Sequence, residues 1–259
     1  MINTAVLLTA ALAFWLISLT IDKVSFVDAV WGGAMALLAL VSFVQLEAPG
    51  PLAWLIMGMT VLWGARLAVH LLRRFLRHGE DARYVRILAK DREKGRWGIA
   101  VLLRVWLLQS LLLFAVSSPA QIGILASGEI AIPPIGWLGL ALWLVGIFFE
   151  WVGDAQLARF KADPANTGKV MDKGLWRYTR HPNYFGDACA WWGIWLAAMS
   201  ASPAAVIWTL PGPIFLTFTL VKWSGAAMTE RGMQEKYGEQ FAGYVRRTSP
   251  FIPMPPKRT

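Results

Sequence analysis

The segment Gly174–Asp187, GLWRYTRHPNYFGD, sets cations, aromatics, an amide and an acid side by side in one short stretch of chain. Pro182 cannot sit inside a helix and drives His181 toward extended backbone, so a helix is expected to start there with Asn183 as its cap. A helix N-terminus offers unbonded N–H groups and the positive end of the dipole, which suits anionic ligands. Arg177 and Arg180 add charge-assisted hydrogen bonds to phosphate oxygens. The same residues also suit a headgroup-level loop, with arginines on lipid phosphates and rings in an interfacial belt. From the residues alone both readings stay open.

A second group of chemically able residues lies within apolar runs. Asp28 sits in SFVDAVWGG, and Arg66 and His70 lie one helical turn apart in WGARLAVH. Arg104 and Gln109 follow in a later run, then the i, i+4 acids Glu150 and Asp154, then Asp187. Ionisable side chains inside a membrane are costly and face the bundle interior or a wet cavity. The structural expectation is interhelical ion pairs, with Arg66 or Arg104 meeting Asp28 or Glu150. The functional one is that Asp28, near Gly32 and Gly33 where helices can approach closely, holds a cation or polarises a ligand carbonyl.

The elements that must position these residues are membrane helices. The chain has 259 residues, 56% hydrophobic and only 16% charged, with 15 tryptophans, against about 25% charged in soluble domains; mean hydropathy is +0.48. Seven apolar runs reach the length a bilayer requires: about 4–21, 26–46, 52–72, 98–117, 135–152, 184–200 and 203–223. The segment 121–131 is short and interrupted, which predicts a re-entrant or interfacial piece. The first run lacks the basic flank of a cleaved signal and is expected to be retained.

Charge tests this count. The formal net charge is +9, and the cations outside the apolar runs fall at Lys23, in Arg73–Arg96, in Arg159–Arg180 and in Arg231–Arg258. The alternate loops, Glu47–Pro51, Ser118–Pro134 and Ala201–Ser202, contain no lysine or arginine. With seven spans this is the positive-inside pattern, N-terminus outside and C-terminus cytoplasmic. Membrane lipids, not nucleic acid, account for a basic excess so placed. The fold expected is an all-α membrane protein of about seven transmembrane helices, a single integral domain over 1–259. One cysteine, Cys189, and the dispersed His70, His78 and His181 exclude a disulfide framework and a clustered metal site.

RHPNYFGD, the preceding EWVGDAQLARFK and the closing EKYGEQFAGYVRRTSPFIP resemble the steroid 5α-reductase superfamily. The resemblance is greatest to its bacterial branch of integral membrane proteins, which is related in the C-terminal half to sterol C14-reductases and isoprenylcysteine carboxyl methyltransferases. SFVDAVWG and the stretch from LWGARL to GEDARY extend it over almost the whole chain. The resemblance implies a multi-pass protein of the bacterial inner membrane, with substrate-side helices in 1–118 and a cofactor half in 135–259 that holds NADPH from the cytoplasmic side. Asp154 and Lys161 match positions at the adenosine end. Trp176, His181, Asn183, Tyr184 and Asp187 match the loop and helix start lining the nicotinamide half, and Glu230 and Tyr237 the residues completing the pocket; Arg180, suited to phosphate, joins them as a cofactor-binding candidate.

The implied chemistry is hydride delivery to the β-carbon of an activated C=C bond in a lipid-like substrate (steroid, enone or enoyl), with the carbonyl polarised from the N-terminal helices. There the sequence departs from the steroid reductases, which carry a Gln-Glu pair on the second helix and a tyrosine on the third. Asp28 stands near the first of those positions and Trp63 or Arg66 near the second, making Asp28 and Arg66 the catalytic candidates. The tyrosine nearest the first three helices is Tyr84, in the loop beyond them. Two other functions fit the shared motif: an S-adenosylmethionine-dependent membrane methyltransferase and a non-enzymatic membrane protein. Nothing in the sequence sets an oligomeric state.

Overall fold

A computed structural model of the chain describes residues 1–223 and 225–257; Arg258, counted above among the cations of the tail, lies outside them. The described residues are helical, joined by loops and one isolated parallel bridge between Thr179 and Ser249, with no sheet. The helices are α1 (Ile2–Ile21), α2 (Val27–Phe43), α3 (Pro51–His78), α4 (Ala82–Glu93), α5 (Trp97–Ser127), α6 (Pro134–Ala162), α7 (Pro182–Met199), α8 (Pro211–Phe218) and α9 (Ala226–Arg247). Among the described residues five helical stretches are long and apolar enough to cross a bilayer: α1, α3, α5, α6 and the stretch Pro203–Arg247. The protein is a multi-pass integral membrane protein.

Local chemistry sets the helix ends. Pro51, Pro134 and Pro182 open α3, α6 and α7, where a missing N–H costs nothing because that group would have no helical partner. The Asp81 carboxylate caps α4 by accepting from the Arg83 N–H at 2.9 Å. The segment expected to be re-entrant instead continues α5 as far as Ser127. Pro119 lies inside that helix, and the carbonyl its ring leaves without an N–H, that of Ala115, accepts from the Ser118 hydroxyl at 2.7 Å. A side-chain donor of this kind is what lets proline persist in a membrane helix.

The chain divides into two compact units. The first comprises Met1–Gly136 and Ala197–Gly212, the second Trp137–Leu196 and Pro213–Thr259. In the first unit α2 and α3 meet backbone to backbone: a β-carbon on Gly32 would stand 2.6 Å from the Gly64 carbonyl oxygen. Gly33 faces the Ala68 methyl at ordinary distance, so Gly32 carries the close approach. Phe14 and Phe26 pack on the Trp106 ring, with centroids 5.4 and 5.2 Å away. Trp106 Nε1 donates to the Ser18 hydroxyl at 3.0 Å.

A polar knot ties α1, α2 and α5 in the same unit. Asn3, 7% exposed, donates from Nδ2 to Ser42 Oγ at 2.7 Å and Gln121 Oε1 at 2.8 Å. Its Oδ1 accepts from Gln45 Nε2 at 2.9 Å. Substitution Asn3→Leu strands these partners among apolar groups, at a cost of about 1–3 kcal/mol. A melting temperature in detergent several degrees below wild type is expected; an unchanged one would show that the knot adds nothing.

In the second unit glycines at heptad spacing let α6 and α7 touch along their backbones. A β-carbon on Gly146 would lie 2.6 Å from both the Ala190 nitrogen and the Gly186 oxygen, and one on Gly193 2.6 Å from the Gly139 oxygen. Gly153 continues the row, 3.1 Å by the same measure from Pro182. That last contact seats the Gly174–Asp187 segment on α6.

Candidate functional site

In the first unit, α4 carries Arg83 and Tyr84 onto Asp28, which sits in the first turn of α2. The Tyr84 hydroxyl donates to Asp28 Oδ1 at 2.7 Å, and Arg83 Nη2 reaches Asp28 Oδ2 at 2.8 Å. Arg83 also grips Asp81, at 2.9 Å through Nη2 and 3.0 Å through Nε. Gln109 donates from Nε2 to the Tyr84 oxygen at 3.3 Å and accepts from Trp31 Nε1 at 2.6 Å. Trp31 and Gln109 line a narrow apolar crevice between α1, α2 and α5, together with Leu7, Phe14, Val30 and Trp106.

The wide π-helical turn Val101–Leu107 in α5 helps to aim this group. An extra residue per turn rephases the helix, and Trp106 and Gln109, three residues apart, then face the crevice together. A bent loop before α2 is clamped by Glu80, whose carboxylate accepts from the Val24 and Ser25 N–H groups, both at 3.1 Å, and the Ser25 hydroxyl at 2.7 Å. Ser25 Oγ accepts in turn from the Asp81 N–H at 3.0 Å. This clamp ties the start of α4 to the start of α2, so the Tyr84–Asp28 contact is built in by both backbones.

Electrostatics favour a neutral phenol beside a charged carboxylate. Burial, and next the negative charge of Asp28, push the Tyr84 hydroxyl well above the ordinary tyrosine range. Burial alone would raise Asp81, but the side-chain and backbone hydrogen bonds from Arg83 outweigh it and hold that carboxyl below its usual value. Tyr84 is therefore a phenol that keeps its proton at any physiological pH. Its oxygen accepts from Gln109, which lines the apolar crevice.

The second unit gathers the Gly174–Asp187 segment. Helix α7 begins at Pro182, one residue before the expected cap, so Asn183 lies in its first turn. Arg180 makes a two-pronged bridge to Glu230 on α9, Nε to Oε1 at 2.8 Å and Nη2 to Oε2 at 3.2 Å. Its Nη1 donates to the Thr248 carbonyl at 2.8 Å. His181 Nε2 lies 2.8 Å from Glu230 Oε1, and the imidazole stacks on Tyr184 with centroids 5.2 Å apart. Asn183 Nδ2 donates to Asp154 Oδ1 at 3.2 Å. Trp176 is buried, its indole N–H donating to the Gly153 carbonyl at 2.9 Å and its own carbonyl accepting from the Tyr244 hydroxyl at 2.5 Å.

The residues expected to bind cofactor thus divide in two. Arg180, His181, Glu230 and Trp176 are spent largely on one another and on backbone, and they fix the shape of the loop. Tyr237 packs against the cluster of Val170, Phe241 and Tyr244. Lys161 is exposed, and Asp154, Asn183, Tyr184 and Asp187 are half-buried. An amide beside an acid suits a carboxamide, and Lys161 suits a phosphate.

Among the catalytic candidates, Asp28 is in the first unit's polar chain, paired with Arg83. Arg66 is half-buried on α3. Arg104 pairs at 2.7 Å with Asp91 on α4, in place of the Asp28 expected for it, because α4 supplies an acid of its own beside α5. Sequence reasoning missed Tyr84 and Arg83 as partners of Asp28, and Gln109 as a partner of Tyr84. The available signal was DARY itself: a capping acid, a cation and a phenol opening a short helix between two spans.

The residues 14–248 match the family described as Protein of unknown function (DUF1295). The chain belongs to that family, within the steroid 5-alpha-reductase superfamily. It is 27% identical over 199 residues to an uncharacterized protein of Schizosaccharomyces pombe, covering 69% of this chain and 57% of that one. It is 34% identical over 118 residues to 3-oxo-5-alpha-steroid 4-dehydrogenase 1 of Mus musculus, covering 44% of this chain and 40% of the relative. A probable O-methyltransferase, ustE of Ustilaginoidea virens, is 26% identical over 119 residues, 46% of this chain and 40% of its own. The chain therefore spans less than two thirds of the length of each of these relatives. No solved structure matches it.

Proposed function

We propose that this protein is an NADPH-dependent membrane reductase that saturates the activated C=C bond of a lipid-like enone, enoyl or steroid substrate. One observation carries the reading: the Tyr84 hydroxyl, held at 2.7 Å from Asp28, supplies the phenol that the first three helices lack. Family membership and the steroid-dehydrogenase relatives support it. The bound cofactor supplies a hydride to the β-carbon. Tyr84 turns its O–H to the substrate carbonyl, stabilising the negative charge that collects on that oxygen and passing it a proton. Asp28 keeps its pairing with Arg83 meanwhile, and the resulting enol returns to the ketone as the α-carbon takes a proton from water and the enol O–H gives its proton back to the Tyr84 oxygen. Lys161, Asp154, Asn183, Tyr184 and Asp187 hold the cofactor, while Arg180, His181 and Glu230 keep their loop in shape.

The same reading takes α2, with 17 residues, and α7, with 18, as further spans, since both reach the lower length for crossing. Seven spans place the N-terminus outside and the basic loops, the cofactor residues and the mouth of the site on the cytoplasmic side of a bacterial inner membrane.

The methyltransferase relative defines the competing cofactor. Titrating detergent-purified protein with NADPH, NADH and S-adenosylmethionine, followed by tryptophan quenching, separates the readings. NADPH is expected to bind with a dissociation constant on the order of micromolar, roughly tenfold weaker in Asn183→Ala and in Lys161→Ala. Binding of S-adenosylmethionine alone would sink the reductase reading.

A further inference from the structure

Four cations, Lys173, Arg177, Arg247 and Lys257, line one cleft of about 500 Å³ in the second unit, together with Asp172 and Thr248. They come from three separate stretches of chain: the turn before α7, the end of α9 and the tail beyond it. Like charges do not gather unaided, and here backbone and side-chain bonds hold them. The Lys257 N–H donates to the Arg247 carbonyl at 2.9 Å and the Met254 N–H to the Tyr178 carbonyl at 3.0 Å, fastening the tail. Arg247 Nη2 reaches Asp172 Oδ2 at 2.7 Å. The acid among the six neutralises one cation and leaves an excess of positive charge in a concave wall, which concentrates the field on an anion.

Its size falls in the range of ligand sites, about 300–1,000 Å³, but a charged lining departs from their usual apolar walls. Arginine forks and lysine point charges together fit a phosphate. The volume leaves room for a larger group bearing it. We infer that this cleft is a binding site for a phosphate-bearing anion, separate from the residues given above to the cofactor. None of its four cations belongs to that set. The Thr248 carbonyl, on the cleft wall, receives Arg180 at 2.8 Å, so a ligand here would also steady the Arg180–Glu230 bridge.

The test uses the full chain and two phosphate sources. In detergent, inorganic pyrophosphate raises the melting temperature of wild type above sodium chloride at equal ionic strength, and Lys173→Ala/Arg177→Ala weakens its binding by roughly tenfold or more. In phosphatidylcholine nanodiscs, phosphatidic acid is the lipid source. Stabilisation by phosphatidic acid but not by pyrophosphate, lost in the same variant, assigns the cleft to a headgroup phosphate. Lys257→Ala, on the tail, is the second variant if the double one fails to fold. Wild type and variants responding alike to both probes would overturn the site. NADPH titrated in the same variants separates this inference from the reductase reading: unchanged NADPH affinity with lost pyrophosphate binding supports a separate site, and joint loss refutes its separateness.

Discussion

Tyr84→Phe lowers turnover by about 10²-fold or more and leaves NADPH affinity within twofold of wild type. The change removes one hydroxyl whose oxygen lies 2.7 Å from Asp28 and 3.3 Å from Gln109, and keeps the ring that fills the space. A loss confined to kcat marks an interaction made in the transition state, whereas a rise in KM alone would mean uniform substrate binding. The assay is NADPH oxidation with a 4-en-3-one steroid and with cyclohexenone as acceptors. Asp28→Asn is expected to retain NADPH binding and lose turnover as well. Turnover equal to wild type in either variant would remove that residue from the mechanism.

The pH profile adds an independent reading. Burial and the Asp28 charge raise the Tyr84 pKa, so the proton donor stays intact above pH 10, where an ordinary tyrosine ionises. Wild-type turnover should show no alkaline limb attributable to this phenol below that pH; in Asp28→Asn burial still holds the phenol up, but the limb of the residual activity should begin at lower pH than in wild type. Stability follows the same sign. The folded phenol holds its proton more tightly than the unfolded one, so its contribution is complete below about pH 10 and is lost as pH rises beyond it. Tyr84→Phe should therefore flatten the alkaline fall of the melting temperature.

Much of this protein is legible in its sequence because membrane helices are written as length and hydropathy. The expected runs at 4–21, 52–72 and 135–152 lie inside α1, α3 and α6, and the run at 98–117 inside α5. What failed to show was continuity: the segment 121–131 read as a separate short piece, whereas α5 runs on through Pro119, where the Ser118 hydroxyl bonds the Ala115 carbonyl. The site was legible in the opposite proportion. Asp28 and the Gly174–Asp187 segment stood out as costly or dense residues, but their partners are set by tertiary contact. Tyr84 lies 56 residues from Asp28 and Glu230 49 residues from His181, and no helical period links either pair. Arg180 looked like a phosphate ligand because charge is visible in sequence. That it is already committed to Glu230 and to backbone carbonyls is not.

Gly146→Leu is expected to abolish detergent-stable protein, and Gly146→Ala to lower the melting temperature by far more than any surface glycine change. The reason lies in the direct backbone contact of α6 with α7. An added β-carbon would stand 2.6 Å from the Ala190 nitrogen and the Gly186 oxygen, and on the facing helix one at Gly186 would stand 2.5 Å from the Gly146 oxygen. These are backbone atoms, which cannot swing aside as a side chain can, so the helices must part along the whole row Gly139–Gly146–Gly153. Small residues are what allow such approach in a bilayer, where no hydrophobic drive compensates for lost contact. Overpacking a well-fitted interior costs about 1–3 kcal/mol where side chains can adjust, and the rigid seam sets the upper end of that range as the floor. Gly58→Ala, on the membrane helix α3 with nothing within 4 Å of its added carbon, is the matched control. It should be neutral or stabilising by up to about 1 kcal/mol, the helix-propensity gain of alanine over glycine. Fluorescence-detected size exclusion after heating measures both. If Gly146→Ala melts with Gly58→Ala and wild type, α6 and α7 do not meet at their backbones, and the seat that Gly153 offers Pro182, and with it His181 and Asn183, is not rigid.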